Sequence, residues 1–107
     1  MAYDEDLAGR IRELIGAEPG LSEQKMFGGL CFLLNRHIAV AVSREGGLLL
    51  RVDPAEHEKL INKPNAGPFE MRGREMAGYL RIAPDGVKTK AQLERWVTRG
   101  VSYARTI

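Results

Sequence analysis

The sequence predicts one α+β domain of two layers, with helices packed on one face of an antiparallel sheet. Three observations lead there. Residues 4–15 and 89–104 carry apolar side chains at helical spacing, whereas the runs between them alternate at strand spacing. Those runs come in groups joined by loops of a few residues, as hairpins do. One helix separates the groups; helices do not alternate with single strands, as they would around a parallel sheet. The 107 residues suit one domain with its own core, and no repeat, low-complexity stretch or long linker divides residues 1–107.

The first helix runs from Asp4 to Ile15, its stripe formed by Leu7, Ile11, Leu14 and Ile15. Asp4, Glu5 and Asp6 place negative charge at its N-terminus, and Gly16 with Pro19-Gly20 ends it. Three strands follow at Lys25–Leu34, Ile38–Val42 and Leu48–Val52. Asp53-Pro54 then opens a short second helix, Asp as the cap and Pro at the first turn, ending near Ile61 before the turn-rich Asn62–Pro68. Phe69–Met71 and Met76–Ala83 make a second hairpin around Arg72-Gly73-Arg74-Glu75. Thr89 and Gln92 form a capping box for the last helix, whose stripe is Leu93, Trp96, Val97, Gly100, Val101 and Ala104. Trp96 is thereby placed in the core. Gly100 on that stripe implies a close approach of the helix backbone to the sheet. The order is α-β(3)-α-β(2)-α.

Composition narrows the function classes. At 44% hydrophobic and 28% charged, the chain is a folding globular sequence and not a disordered tail. Its single cysteine allows no internal disulfide, and no apolar run approaches the roughly 20 residues of a membrane span. The acidic start lacks the pattern of a signal peptide, so the expected location is the cytoplasm, with no membrane partner. The net charge of +2 is small, but it is uneven: residues 1–53 carry −2 and residues 54–107 carry +4. Basic residues interleave with acids, which predicts no sequence-specific nucleic-acid binding.

Catalytic and metal chemistry find little support. Lys25 precedes Gly28-Gly29 and a strand follows, the reverse of a phosphate loop, so the glycines read as a bulge or close-packing site in the first strand. Cys31 reads as a buried small hydrophobe, and His37 and His57 as surface residues too far apart in sequence for a recognisable zinc spacing. The expectation is a non-enzyme with no cofactor and no metal. Arg95 and Arg99, one turn apart opposite the apolar stripe, read as a solvated helix face; the rival reading is an anionic-ligand or nucleic-acid accessory site in the basic C-terminal half.

One run points to a family. Lys25-Met26-Phe27-Gly28-Gly29, set after an N-terminal helix, resembles the signature of the TfoX/Sxy N-terminal domain family. Ala2-Tyr3-Asp4-Glu5-Asp6-Leu7, Leu49-Leu50-Arg51-Val52, the spaced block Met71, Gly73, Met76, Gly78, Tyr79, and the Trp96 helix ending Tyr103-Ala104-Arg105 are similar to its patterns in order. The resemblance covers residues 2 to 106. It implies an α-β(3)-α-β(2)-α fold with secretion-chaperone-like topology, and a link to regulators of natural competence. Full-length regulators of that kind carry a second, C-terminal helical domain that this sequence lacks, so a stand-alone interaction domain with an unidentified protein partner is expected. The family supplies no catalytic residue.

The strand pattern raises one further expectation. Ile38, Val40, Val42, Leu48, Leu50, Val52, Leu80 and Ile82 would face the helices, leaving Ala39, Ala41, Leu49, Arg51, Tyr79 and Arg81 on a second face open to solvent. That face is too apolar to be left wet. A homodimer through Leu49 and Tyr79 is the expected cover, with a ligand or the loop Asn62–Pro68 as the alternatives. Arg51 and Arg81 could there form structural ion pairs, bind an anion or cross a subunit interface.

Overall fold

The computed structural model describes residues 3–26 and 28–107. Ala2 and Phe27, both quoted in the family patterns, lie outside the described residues. The elements are α1 (Glu5–Ile15), β1 (Leu21–Met26), β2 (Gly29–Leu34), β3 (His37–Val42), β4 (Leu48–Arg51), α2 (His57–Leu60, entered through a 3-10 turn at Pro54–Glu56), β5 (Ala66–Met71), β6 (Arg74–Ile82) and α3 (Lys90–Ala104). The sheet is antiparallel and six-stranded, in the order β1-β2-β3-β4-β6-β5. The α+β class is as expected; the strand count is one higher.

The extra strand comes from the run that the sequence presented as one. Lys25–Leu34 is split by a tight turn, so Leu21–Met26 folds back on Gly29–Leu34 with Met26 opposite Gly29. Gly28 sits in the left-handed region at φ +77°, which a side chain would resist. Gly29 opens β2 with its backbone against the Val42 carbonyl, where any Cβ would overlap. The pair is therefore a hairpin turn followed by a close-packing site, not a bulge inside a strand. β1 escaped notice because Ser22, Glu23, Gln24 and Lys25 are all exposed and polar, leaving no alternation to detect.

The caps form as their residues dictate. Asp4 Oδ1 accepts from the Leu7 amide at 3.1 Å, and Asp53 Oδ1 from the Ala55 amide at 2.9 Å. Thr89 and Gln92 exchange both bonds of their capping box. The Asn35-Arg36 turn between β2 and β3 has both residues at positive φ, the geometry that matches strand twist in a two-residue hairpin.

The helices cover one sheet face. Leu7, Ile11, Phe32, Val40, Leu50, Leu80, Leu93 and Val97 form the main core, each at most 3% exposed. Gly100 lets α3 lie directly on β3 and β4: a Cβ there would overlap the Ala39 carbonyl oxygen and crowd Leu50 Cδ1 at 2.8 Å. Trp96 packs only at the margin of this core and is half-buried, so its assignment to the interior is corrected. No helix among the described residues is long and apolar enough to cross a membrane.

Ile38 and Ala39 trade the faces assigned to them. Phe32 pairs with Val40 but Leu33 pairs with Ile38, so Ala39 is an extra residue in β3. The bulge turns Ala39 toward α3, where it packs with Leu34 and Ala104, and turns Ile38 to the opposite face. A second irregularity sets Phe69 alone against four residues of β6, Met76 to Tyr79, and bends that hairpin. Gly78, at φ +86°, lies within it.

Candidate functional site

The second sheet face is where the sequence placed Leu49, Arg51, Tyr79 and Arg81. Strand register brings them together as two cross-strand pairs, Leu49 with Arg81 and Arg51 with Tyr79. They do not form an open patch. Leu49 is 9% exposed and clusters with Cys31, Leu33 and Ala41, with Met26, Ile38, Phe69 and Tyr79 packed around them. The cover comes from the chain itself, and from Phe69 on the bent hairpin rather than from the loop Asn62–Pro68. An exposed apolar face, the premise for placing a second copy there, is thus not met among the described residues.

The two arginines have separate fates. Arg81 pairs with Glu45 at 3.0 Å. Arg51 is half-buried, with its guanidinium 5.8 Å from the Tyr79 ring centroid and 5.9 Å from that of Tyr103. A hollow of about 330 Å³ remains on this side, with Leu49, Cys31 and Ala41 among its lining residues and Arg44, Arg72 and Arg81 also around it. Burial pushes the Cys31 thiol above its ordinary range, away from the thiolate that reactivity needs. Of the motif residues, Lys25 is exposed, Met26 is half-buried against the second cluster, and Gly28 and Gly29 shape the turn.

His57 is not on the surface. It is 5% exposed, and its Nδ1 accepts from the Gly78 amide at 3.2 Å, which leaves Nε2 to donate to Glu75 Oε1 at 2.8 Å. The ring satisfies a backbone donor freed by the bend in β6 and ties α2 to that strand. Its partners are all accounted for by the fold. The described residues hold no group of three or more His, Cys, Asp or Glu placed to bind a metal.

The arrangement with chemistry to spare lies along α3. Lys63, Pro64 and Asn65, from the loop after α2, face Gln92, Arg95, Trp96 and Arg99 of α3 across a cavity of about 230 Å³. A second hollow of about 450 Å³ lies between the β4–α2 connection, which contributes Asp53 and Glu56, and Thr98, Ser102 and Tyr103, with Arg95 and Arg99 lining both. Arg95 is exposed, as expected for a solvated face, whereas Arg99 is half-buried, with 35% of its side chain open to solvent. The Arg99 guanidinium lies 5.9 Å from the Trp96 ring centroid, and its Nε is buried without a hydrogen-bond partner among the described residues. The carboxylate nearest it, Glu56, is 3.8 Å away, at the limit of an ion pair. Lys63, Arg95 and Arg99 thus bring three positive charges to one groove beside an aromatic ring.

Of this site, Arg95 and Arg99 were visible in sequence as neighbours, but Trp96 was set on the buried stripe opposite them. Lys63 and Asn65 were not visible, because the prolines around them mark a turn and nothing in a turn says which surface it folds against.

A family model described as TfoX N-terminal domain matches residues 13–104. No curated protein and no solved structure matched the chain.

Proposed function

The chain belongs to the TfoX N-terminal domain family, and on that premise we propose that it is a non-catalytic binding domain that recognises an anionic partner through the groove along α3. One observation carries the reading: Lys63, Arg95 and Arg99 converge on a cavity walled by Trp96, with Glu56 as their weak counter-charge. Arginine forks suit carboxylate and phosphate groups, and a half-buried indole adds a flat apolar wall. On the competing surface, the second sheet face, Arg81 is engaged by Glu45 and Arg51 by two tyrosine rings, while Arg44 and Arg72 line its hollow without an aromatic ring stacked on them among the described residues.

A polyanion column tests this. At low salt the parent chain should be retained on heparin, and Arg95→Glu with Arg99→Glu should abolish retention while circular dichroism stays unchanged. The control is Arg72→Glu with Arg74→Glu, which makes the same change in net charge on the β5–β6 turn and should elute close to the parent. Equal losses from the two double variants would mean diffuse charge attraction, and the proposal would fall.

A further inference from the structure

We infer that the α3 cavity takes a phosphorylated ligand bearing a planar ring, of mononucleotide size; this rests on the α3 groove being the recognition surface. The first ground is the unsatisfied donor. Arg99 Nε is buried and unpaired, and a buried N–H without an acceptor is costly, so the site is short of an acceptor atom. As it stands Nε is closed to solvent, so an oxygen of an entering anion reaches it by turning the Arg99 side chain, which is 35% exposed.

The second ground is the count of charges. Lys63, Arg95 and Arg99 line the cavity of about 230 Å³, whereas the two carboxylates, Asp53 and Glu56, line the neighbouring hollow, and Glu56 at 3.8 Å makes no hydrogen bond to Arg99 among the described residues. A monocarboxylate offers two oxygens and one charge. A phosphomonoester offers three terminal oxygens and close to two charges, a better match to two guanidinium forks and an ammonium. The third ground is shape. Trp96 is half-buried with Arg99 beside its ring, and aromatic or guanidinium planes are the surfaces on which bases stack. Arg95 and Arg99 line both the cavity of about 230 Å³, which also holds Trp96, and the neighbouring hollow of about 450 Å³. Asn65 also lines the cavity.

Trp96 is the only tryptophan, so its emission reports this cavity and nothing else. The full chain is titrated with adenosine monophosphate, inorganic phosphate, adenosine, succinate and a thymidine oligonucleotide, with calorimetry alongside to exclude absorption artefacts. Adenosine monophosphate should give saturable quenching, with inorganic phosphate, adenosine and succinate each at least about tenfold weaker. Arg99→Lys keeps the charge but removes Nε and the fork. It should weaken adenosine monophosphate about tenfold and inorganic phosphate less, with the circular dichroism spectrum unchanged.

Equal binding of succinate, phosphate and adenosine monophosphate would overturn the inference and leave the anion-binding role standing. An oligonucleotide that binds where the mononucleotide does not would also overturn it, in favour of single-stranded nucleic acid on the same groove. Emission that none of these ligands alters, with heparin retention unaffected by Arg95→Glu and Arg99→Glu, would remove both.

Discussion

The two faces of the sheet bury their apolar residues by different means. On the helix face, α1 and α3 lie across alternating strand positions, and Phe32, Val40, Leu50 and Leu80 are fully enclosed. On the other face no helix lies among the described residues. Cys31, Ala41 and Leu49 are covered because a bent hairpin brings Phe69 and Tyr79 over them. Cover by a packed helix leaves little room to relax or to admit water. Cover by a curved strand pair leaves a hollow of about 330 Å³ and a looser lid. The difference predicts unequal tolerance to the same chemical change.

Leu49 and Leu50 make that test, being neighbours in β4 that point to opposite faces. Leu50→Ala should cost about 4 kcal/mol, toward the upper end for a leucine with no space to collapse, and Leu49→Ala about 2 kcal/mol. Urea unfolding of the two variants would read the gap; equal losses would mean that the second face is packed as tightly as the first.

Gly100 sharpens the comparison from the helix side. Alanine in a helix interior is normally favoured over glycine by about 1 kcal/mol. Here the added methyl would meet the Ala39 carbonyl and Leu50, so Gly100→Ala should instead destabilise by about 1–3 kcal/mol. A variant that melts above the parent would show that α3 stands further from the sheet than described.

The smallest effect is expected at the periphery, where neither face is involved. Arg12 donates two bonds to Glu23, at 2.8 and 2.7 Å, and these hold the Glu23 carboxyl below the usual carboxylate range. A lowered folded pKa adds stability above the unfolded value, and that stability is lost as pH falls through the lowered one. Glu23→Gln should therefore be slightly less stable than the parent at neutral pH, by less than Gly100→Ala, and equal to it in strong acid. Both side chains are substantially exposed, so added salt should shrink the gap. A deficit that persists below the carboxylate range would assign the effect to something other than the ion pair.

The helix face was legible in sequence because periodicity is a local property. Leu93, Val97, Gly100 and Ala104 announce a stripe by spacing alone, and Thr89 with Gln92 announces its start. The second face was misread where the period breaks. A single bulge at Ala39 exchanges it with Ile38, and no residue there is the glycine or proline that would flag it. Leu49 was expected at the surface for a related reason: its cover is a hairpin that bends through non-local pairing around Gly78 and Phe69. His57 was misplaced because its partners, Gly78 and Glu75, are some 20 residues away. For the candidate site, Arg95 and Arg99 follow from one helical turn, whereas Trp96 was read as core and Lys63 joins them only once the chain has folded back.

The sheet's outermost strands carry a consequence for how copies of the chain behave when crowded. An unpaired strand edge invites another chain to add to it and start a fibre. β1 presents Ser22, Glu23, Gln24 and Lys25 to water, so a second chain laid against it must bury charges that are now solvated. β5, at the opposite border, contains Pro68, which has no N–H to donate, and an irregularity beside it bends the strand out of line. One border repels growth by charge and the other by geometry, so the six strands end where they do without needing a partner to stop them.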